Sequence, residues 1–305
     1  MSGGELNFHP VGPEDLEMIY SYTSKYGENS CQHSPICFFT LRDKYEDMIC
    51  EEDGVLYVYR KGISDENVRK YLAPFGARND KEAFERLICD AHSHGKKTNF
   101  YTLTNKAAQA LAVSFPDLFT ITKERDLSEY IFSRETMEVF PGKVHARRRT
   151  EIRSFWKTYG ERAKALLMND SDFEEVLAFA RKWIEENSER NDRETLEREF
   201  RFIKNQIENY HTLKLSGTVI RIDGELKGFC YGGALNDDCY DVLIEKADRS
   251  IPGIYRVVRS ESTKLNVQNY KYINFEEDVG VEGLRKVKES YGPEYMIDKY
   301  IATEK

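Results

Sequence analysis

Three consecutive acidic residues, Glu276, Glu277 and Asp278, are the side chains of this sequence best suited to hold a cation. The preceding apolar run, residues 272–275, predicts a strand, so the acids would stand at its end. Crowding three like charges costs folding free energy unless cations or backbone donors offset it. The cluster therefore predicts a site for a cationic α-amino group or an amine acceptor, and an ordinary charged strand end is the alternative.

A helix is predicted directly after the acids, because Asp278 is a good N-cap and Gly292 followed by Pro293 is a typical stop. One apolar set recurs at helical spacing and predicts a buried face: Val281, Leu284, Val287 and Tyr291. Gly280 and Gly283 in the first turn each cost the helix about 1 kcal/mol relative to alanine, which indicates that some group approaches the backbone there.

Cationic residues on the other faces of this helix could bind an anion. Arg285 and Lys288 could neutralise the phosphates of a donor or a developing oxyanion. Arg285 lies about two turns into the helix, roughly 10 Å along the axis from Asp278, so we expect it to reach a ligand rather than that carboxylate. The alternative for Arg285 is an ordinary helix pair with Glu289, four residues further on.

Glu245 and Lys246 end another predicted strand and could take part in acyl transfer. Attack of an amine or hydroxyl on an ester carbonyl needs a base within hydrogen-bond reach and donors for the oxyanion. Glu245 could be this base, and Lys246 could stabilise the oxyanion. We expect both to face Glu277 and Arg285 across a cleft between the two halves of the chain, and the alternative is an exposed strand end.

The most basic window of the sequence lies between residues 134 and 160, where arginines and lysines are interleaved with aromatic residues. Basic side chains beside aromatic rings can bind phosphates and stack on bases. Arg147, Arg148 and Arg149 are therefore predicted to contact single-stranded nucleic acid or a nucleotide. The alternative is a solvated linker helix whose arginines pair with neighbouring acids.

The length and composition of the sequence limit the kind of protein it can be and where in the cell it is expected. The 305 residues suffice for two domains, and the net charge of -8 argues against a general nucleic-acid coat but permits a local basic groove. No run approaches the ~20 apolar residues of a membrane span, and residues 1–5 lack the layout of a signal peptide, so we expect a cytoplasmic protein. The six cysteines and six histidines show no zinc-ligand spacing, so no metal site is predicted.

The two halves of the sequence share one order of predicted elements: hairpin, helix, strand, helix, strand. This order predicts an α+β fold of two tandem units of the GNAT type, the acyl-CoA N-acyltransferase architecture. We assign residues 1–140 to an N-terminal GNAT-like domain, 141–165 to a basic linker segment, and 166–305 to a C-terminal GNAT-like domain that carries the site. In this fold a helix N-terminus after the fourth strand binds the cofactor's pyrophosphate, here at residues 247–254 with Arg249 and Gly253.

A family resemblance rests on three segments: Gly142 to Phe155 with its arginines, Glu245-Lys246-Ala247 with Gly253-Ile254-Tyr255, and the pattern from Asn274 to Tyr291. In these segments the sequence resembles the family of the C-terminal domain of phosphatidylglycerol lysyltransferase, and more closely its soluble bacterial relatives. The resemblance implies a tandem GNAT fold related to the Fem peptidyltransferases. It also implies transfer of an aminoacyl group from aminoacyl-tRNA, which the characterised enzymes pass to a lipid hydroxyl. Further motif residues would then bind donor or substrate: Asn274, Gly280, Glu282 and Tyr291.

Two departures from the family pattern limit what the resemblance implies. No membrane domain is present, so a lipid acceptor is not implied. The GNAT pyrophosphate loop, Arg/Gln-x-x-Gly-x-Gly/Ala, keeps Arg249 but has Pro252 and Ile254 in place of its glycines. Without these glycines a phosphate cannot approach the backbone as closely, which disfavours acetyl-CoA as the donor.

The leading hypothesis is an acyl or aminoacyl transferase with aminoacyl-tRNA as donor and no tightly bound cofactor. Its acceptor would be a small molecule, a peptide or a lipid headgroup that offers an amine or a hydroxyl. One alternative is an acyl-CoA-dependent N-acetyltransferase that uses acetyl-CoA. The other is a non-catalytic module that binds RNA or a nucleotide through residues 147–149. The acyl group, the acceptor and the oligomeric state are left open by the sequence.

Overall fold

The structure, a computed structural model, describes residues 5–76, 80–186 and 193–305. The chain divides into two compact units. Unit 1 comprises Met1–Tyr130, Glu277–Lys286 and Tyr295–Lys305, and unit 2 comprises Ile131–Glu276 and Val287–Glu294. The structure thus divides the chain differently from the predicted boundaries at residues 140 and 166, because two C-terminal segments belong to unit 1 and the basic segment 141–165 belongs to unit 2.

Strands and helices of the described residues follow in chain order. The strands are β1 His9–Pro10, β2 Asp47–Glu52, β3 Val55–Arg60, β4 Val68–Tyr71, β5 Phe75–Gly76, β6 Lys97–Leu103, β7 Phe119–Lys123, β8 Glu129–Ser133, β9 Ala163–Leu167, β10 Ser216–Ile222, β11 Glu225–Ala234, β12 Cys239–Ala247, β13 Tyr272–Glu277, β14 Tyr295–Ile297 and β15 Tyr300–Glu304. The helices are α1 Leu16–Tyr26, α2 Pro35–Thr40, α3 Arg42–Tyr45, α4 Asp80–Ser93, α5 Asn105–Ser114, α6 Arg134–Val139, α7 Ala146–Tyr159, α8 Phe173–Glu186, α9 Arg193–Glu208, α10 Ile254–Asn266 and α11 Glu282–Glu289.

The sheet of unit 1 runs in the order β1-β2-β3-β4-β6-β15-β7, with β5 paired to β3. The C-terminal strand β15 is antiparallel to both β6 and β7, and Ala302 lies opposite Phe100 and Ile121. Ala302 and Phe100 are fully buried in the core that α4 and α5 cover. The pairing of this strand with residues about two hundred positions earlier leaves no local signal in the sequence.

The sheet of unit 2 contains β8, β13, β12, β11, β10 and β9 in that order. The hairpin β10–β11 turns at Asp223 and Gly224, both with positive φ, as the Asp-Gly pair predicts. Helix α10 packs on this sheet through Val257 and Val258, which share a core with Phe155 of α7. The basic segment predicted as a linker therefore contributes a helix to the core of unit 2.

Strands β12 and β13 run parallel, and their register covers only the first part of β12, Cys239–Asp241 opposite Tyr272–Asn274. Strand β12 then continues to Ala247, so its second half carries Glu245 and Lys246 beyond this register. In unit 1, by contrast, β4 pairs with β6 along its whole length, from Val68 to Tyr71. In the described part of the chain, the register of β12 with β13 therefore ends before residues 242–247.

Helix α11 differs from the helix predicted after the acids. It begins at Glu282 rather than after an N-cap at Asp278, and it ends at Glu289. Tyr291 is buried as predicted, with 1% of its surface exposed, but the rest of the predicted buried face is exposed: Val281 53%, Leu284 38% and Val287 47%. The prediction of burial was wrong for these three residues, because helical periodicity identifies an apolar face but not whether another element covers it.

Candidate functional site

The turn between β13 and α11 explains where the predicted helix start was wrong. Glu276, Val279 and Gly280 all have positive φ, with values of 56°, 46° and 77°. The Asp278 side chain accepts a hydrogen bond from the Gly280 amide at 2.9 Å, which is the turn that Asp forms two residues ahead of itself. The chain therefore folds back at Asp278 before α11 begins.

The carboxylate of Asp278 is fully buried in unit 1 and lies between two arginines. Arg285 donates to both of its oxygens at 3.0 and 2.8 Å, Arg125 donates at 3.1 Å, and the Tyr130 hydroxyl donates at 2.6 Å. Burial alone would raise the pKa of Asp278, but the hydrogen bonds from Arg285, Tyr130 and Gly280 outweigh it and hold the pKa well below its ordinary value. Asp278 is therefore an ionised structural anchor of this turn.

The prediction that Arg285 could not reach Asp278 was wrong. It assumed a continuous helix from residue 278, whereas the turn brings the carboxylate beside the second turn of α11. Arg285 also donates to Asp126 at 2.6 Å, and the Asp126 carboxylate is the group that approaches Gly280. A Cβ at Gly280 would lie 2.8 Å from Asp126, so both the contact and the positive φ favour glycine there.

Glu277 and Glu282 have separate surroundings in unit 1. Glu277 is half-buried and accepts hydrogen bonds from the Gln32 amide at 3.3 Å and from the Cys31 thiol at 3.7 Å. Glu282 is exposed and pairs with the exposed Lys286 on the surface of α11. The Glu277 carboxylate thus lies among polar groups of unit 1.

The end of β13 in unit 2 is fixed by two of the predicted site residues. Asn274 is fully buried, and its side-chain oxygen accepts a hydrogen bond from the Glu276 amide at 2.6 Å. Lys288 donates to the carbonyl oxygens of Phe275 at 2.6 Å and Glu276 at 3.3 Å. These contacts stabilise the positive φ of Glu276, and Lys288 acts here as a backbone cap.

Glu245 forms a bidentate ion pair with Arg259 of α10, at 2.9 and 2.8 Å. The Arg259 guanidinium lies over Tyr291 at 4.4 Å and over Phe275 at 4.6 Å. Tyr291 also stacks with Arg148, whose guanidinium lies 4.1 Å from the ring centre. The predicted general base is therefore one end of a packed row of charged and aromatic groups.

The three arginines of the basic segment have different roles. Arg148 donates to the carbonyl and hydroxyl oxygens of Ser290 at 3.0 and 2.7 Å, and Arg149 donates to carbonyl oxygens of the preceding loop, including that of Gly142 at 2.7 Å. Only Arg147 extends into solvent, with 91% of its side chain exposed, while its Nε donates to Glu151 at 3.0 Å. Arg148 and Arg149 hold α7 in place, and Arg147 is the one accessible to a ligand.

Lys246 is buried in unit 2 beside Trp183. Its ammonium donates to Glu199 at 2.5 Å and lies 3.7 Å from the ring centre of Trp183. Burial lowers the pKa of Lys246, and the Glu199 carboxylate offsets only part of that effect. The guanidinium of Arg249 lies over the same indole at 4.9 Å.

A cavity of about 320 Å³ opens at the start of α10 in unit 2, and we call it the Arg249 cavity. Its lining comprises Glu151, Arg249, Ile251, Pro252, Gly253, Ile254, Tyr255 and Arg256. Glu151 interacts with Arg147 at 3.0 Å and with Arg256 at 3.5 Å, so α7 and α10 meet there. Because the cavity combines two lining arginines with one glutamate and a helix N-terminus, it favours an anion.

The backbone of the loop that borders this cavity is largely engaged within itself. The amides of Ser250 and Ile251 donate to Asp248, and the Ile254 amide donates to the carbonyl oxygen of Ile251. Pro252 has no amide hydrogen to offer. Gly253 has a positive φ of 81° and a neighbouring carbonyl, that of Glu151, 3.0 Å from where a Cβ would stand. An anion in the cavity would therefore be bound mainly by side chains.

The predicted site residues thus fall into separate groups. Asp278, Gly280 and Arg285 meet in unit 1. In unit 2, Arg249 and Gly253 line the Arg249 cavity, and Lys246 lies over the same Trp183 indole as Arg249. The predicted cleft with Glu245 and Lys246 opposite Glu277 and Arg285 stays a prediction. Sequence reasoning missed several partners: Arg125, Asp126, Tyr130, Arg259, Tyr255 and Arg256. No spacing rule links these partners to the residues they contact, although Arg256 and Arg259 could have been noticed as cations directly after the anion-binding loop.

Comparisons with known proteins place the chain among transferase folds. Residues 23–303 match the family described as phosphatidylglycerol lysyltransferase, C-terminal. A conserved protein of unknown function from Bacteroides thetaiotaomicron is 26% identical, with a TM-score of 0.91 over 98% of this chain and 100% of that chain. An uncharacterised protein of Mycoplasmoides gallisepticum is 25% identical over 174 residues, which is 57% of this chain and 55% of that protein, so the match spans about half of its length.

Two more distant structures share the fold. The L-PGS of Bacillus licheniformis is 15% identical, covers 99% of this chain and 94% of its own, and gives a TM-score of 0.67. FemX is 9% identical, covers 97% of each chain and gives a TM-score of 0.64. The predicted fold, two tandem GNAT-like units in an α+β chain, is confirmed. Among the described residues, no helix is both long enough and apolar enough to span a bilayer.

Proposed function

The chain belongs to the phosphatidylglycerol lysyltransferase C-terminal family, and from this premise we propose that it transfers an aminoacyl group from aminoacyl-tRNA to an amine or hydroxyl acceptor. The acceptor class is a small molecule, a peptide or a lipid headgroup. The family relationship supports a transferase, and the resemblance noted in the sequence supports aminoacyl-tRNA as the donor.

The Arg249 cavity is the observation that carries this proposal. A volume of about 320 Å³ suits a small part of a ligand rather than the whole of a cofactor. Arg249 and Arg256 can bind phosphate oxygens through planar guanidinium groups, and Arg147 lies nearby through its contact with Glu151. Phosphodiesters near the 3′ end of a charged tRNA would fit this side-chain binding, whereas the engaged amides of residues 250–254 disfavour a pyrophosphate bound to the backbone.

The transfer step itself is an attack on an ester. The acceptor's nitrogen or oxygen forms a bond to the aminoacyl carbonyl carbon, the bond to the ribose oxygen breaks, and the acceptor's proton passes to the released 3′-hydroxyl through a base. The assignment of Glu277 to the cationic α-amino group stays a prediction from the sequence, and its half-buried carboxylate accepts hydrogen bonds from Gln32 and Cys31. Glu276 would supplement this negative charge.

A second candidate, acyl-CoA-dependent N-acetyl transfer, is favoured by the edge of β12. Because the register with β13 ends at Asp241, residues 242–247 can offer backbone groups to an extended pantetheine chain. The loss of the loop glycines counts against this candidate, since Pro252 removes an amide that a pyrophosphate would need.

A transfer assay tests the proposal. Purified protein is incubated with tRNA charged with radiolabelled amino acids and with a deproteinised small-molecule extract, and loss of acid-precipitable label is measured with and without excess coenzyme A. We expect label to leave the tRNA, and we expect excess coenzyme A not to inhibit this loss. The Arg249→Gln/Arg256→Gln variant should reduce the rate of label loss at least tenfold. The matched control is Arg198→Gln/Lys204→Gln on α9, where both residues form exposed pairs. Stable label, or competition by coenzyme A, would contradict the proposal.

The exposed cations of α7 should contribute to the salt dependence of tRNA binding. Arg147, Arg153 and Lys157 are exposed, whereas Arg148 and Arg149 hold the helix in place. Changing the three exposed residues to glutamine should reduce the slope of log affinity against log salt by about 2 to 3, since each lost phosphate contact removes about 0.7 to 0.9. Binding is measured by fluorescence anisotropy between 50 and 300 mM salt. An unchanged slope would show that the exposed cations of α7 do not contact tRNA phosphates.

A further inference from the structure

The indole of Trp183 is the common neighbour of three groups around the Arg249 cavity. Lys246 lies 3.7 Å and Arg249 lies 4.9 Å from its ring centre. Its Nε1 donates a hydrogen bond to the Tyr255 hydroxyl at 3.0 Å. Arg249 and Tyr255 both line the cavity, whereas Trp183 does not. All four residues belong to unit 2.

The hydrogen bond from Trp183 fixes the role of the Tyr255 hydroxyl. An indole N–H can only donate, so the phenolic oxygen of Tyr255 must accept in this contact. The phenolic proton then remains for another acceptor, and Tyr255 lines a cavity whose other polar lining is mostly cationic. The hydroxyl is thereby oriented as a donor, which is the role that an anion in the cavity requires.

The indole of Trp183 also restricts the positions of the two cations that lie over it, Lys246 and Arg249. A guanidinium over an aromatic face is attracted by the ring quadrupole, so the indole limits the positions that the otherwise exposed Arg249 side chain adopts. Lys246 is held over the same indole by its contact with Glu199, so the ring is fixed within unit 2. The indole is thus in contact with an ion pair formed by the buried Lys246 and the partly exposed Glu199.

We propose that Trp183 is a positioning residue for anion binding in the Arg249 cavity, because it turns the Tyr255 hydroxyl into a donor and places Arg249 beside it. This inference rests on the proposed function, in which the anion is a phosphate of the donor. It gives the cavity a specificity for phosphate-type ligands with several acceptor oxygens, since Arg249, Arg256 and Tyr255 supply donors from different elements of the lining.

The test uses inorganic pyrophosphate as the probe and the two tryptophans of the chain as reporters. Protein is labelled with 5-fluorotryptophan, and the Trp156→Phe variant assigns the two fluorine signals. We expect pyrophosphate to shift the Trp183 signal saturably and to leave the Trp156 signal unchanged. Isothermal titration then compares Trp156→Phe with Trp183→Phe, Tyr255→Phe and their double variant.

Trp183→Phe keeps an aromatic ring but loses the hydrogen bond to Tyr255, and we expect it to weaken pyrophosphate binding about tenfold. Tyr255→Phe should weaken binding by a similar factor. The Trp183→Phe/Tyr255→Phe double variant should bind no more weakly than either single variant, because both changes remove the same oriented donor. A merely structural role for Trp183 would instead give losses that multiply, or a loss matched by a lower melting temperature.

Different results distinguish the two proposals. If pyrophosphate binds Trp183→Phe as tightly as Trp156→Phe, the positioning role is overturned while the phosphate cavity stands. If pyrophosphate does not bind Trp156→Phe at all, the phosphate assignment of the cavity fails, and the positioning role fails with it. Losses that multiply in the double variant would also overturn the coupling between Trp183 and Tyr255.

Discussion

Replacing Asp278 by asparagine should lower the free energy of unfolding by about 3 kcal/mol. The fully buried carboxylate accepts hydrogen bonds from Arg285, Arg125, Tyr130 and the Gly280 amide. The amide of asparagine removes the negative charge that holds the two guanidinium groups and replaces one acceptor oxygen by a donor. Urea denaturation followed by circular dichroism measures the loss, and Glu282→Gln, whose surface pair with Lys286 is exposed, should stay within about 0.5 kcal/mol of the wild type.

The same carboxylate predicts a dependence of stability on acid. The pKa of Asp278 in the folded protein lies below its ordinary value of 3.8, so the folded state binds this proton less readily than the unfolded chain does. The contribution of Asp278 is therefore complete above the unfolded pKa and is lost as the pH falls from about 4 toward the folded pKa. Between pH 4 and pH 2 the wild type should lose up to about 1.4 kcal/mol more per pH unit than Asp278→Asn.

An Asp278→Asn protein as stable as the wild type would contradict the structural role of Asp278. It would favour the ligand-binding role predicted for residues 276–278. Arg285→Ala provides an independent check, because it removes the bidentate partner of Asp278 and the contact with Asp126. We expect this variant to lose stability as well.

Much of the fold was predictable because local patterns determine it. Alternating or branched apolar runs coincide with β6, β12 and the hairpin β10–β11, and apolar residues at helical spacing coincide with α4, α8 and α9. The Asp223-Gly224 turn has the positive φ values that its residue types predict. The family resemblance depended on motif residues in the same way, and residues 23–303 match that family.

What the sequence could not predict depends on pairing between distant residues. Nothing near Ala302 indicates that β15 would lie between β6 and β7. The reach of Arg285 was misjudged because Glu276 and Val279, neither of them glycine, adopt the left-handed region and turn the chain. The ion pair between Glu245 and Arg259 was not predictable either, because the two residues lie 14 positions apart on different elements.

Replacing Glu245 by glutamine should destabilise the protein by about 3 kcal/mol, because it leaves the Arg259 guanidinium without its bidentate partner in a largely buried position. Exposure of the two side chains is 15% for Arg259 and 10% for Glu245, so water can replace the carboxylate only in part. Phe275 and Tyr291 cover the guanidinium at 4.6 and 4.4 Å and keep it in place after the change. The loss is measured by urea denaturation.

The double variant Glu245→Gln/Arg259→Met separates a structural pair from a general base. Methionine can pack against Phe275 and Tyr291 without a charge to compensate, so the double variant should regain a large part of the stability that Glu245→Gln loses. If Glu245 is a general base instead, Glu245→Gln should keep the wild-type stability and abolish aminoacyl transfer, and the second change should restore nothing. Because the two carboxylate oxygens already accept from Arg259, we expect the structural outcome, in which transfer activity falls only in proportion to the folded fraction.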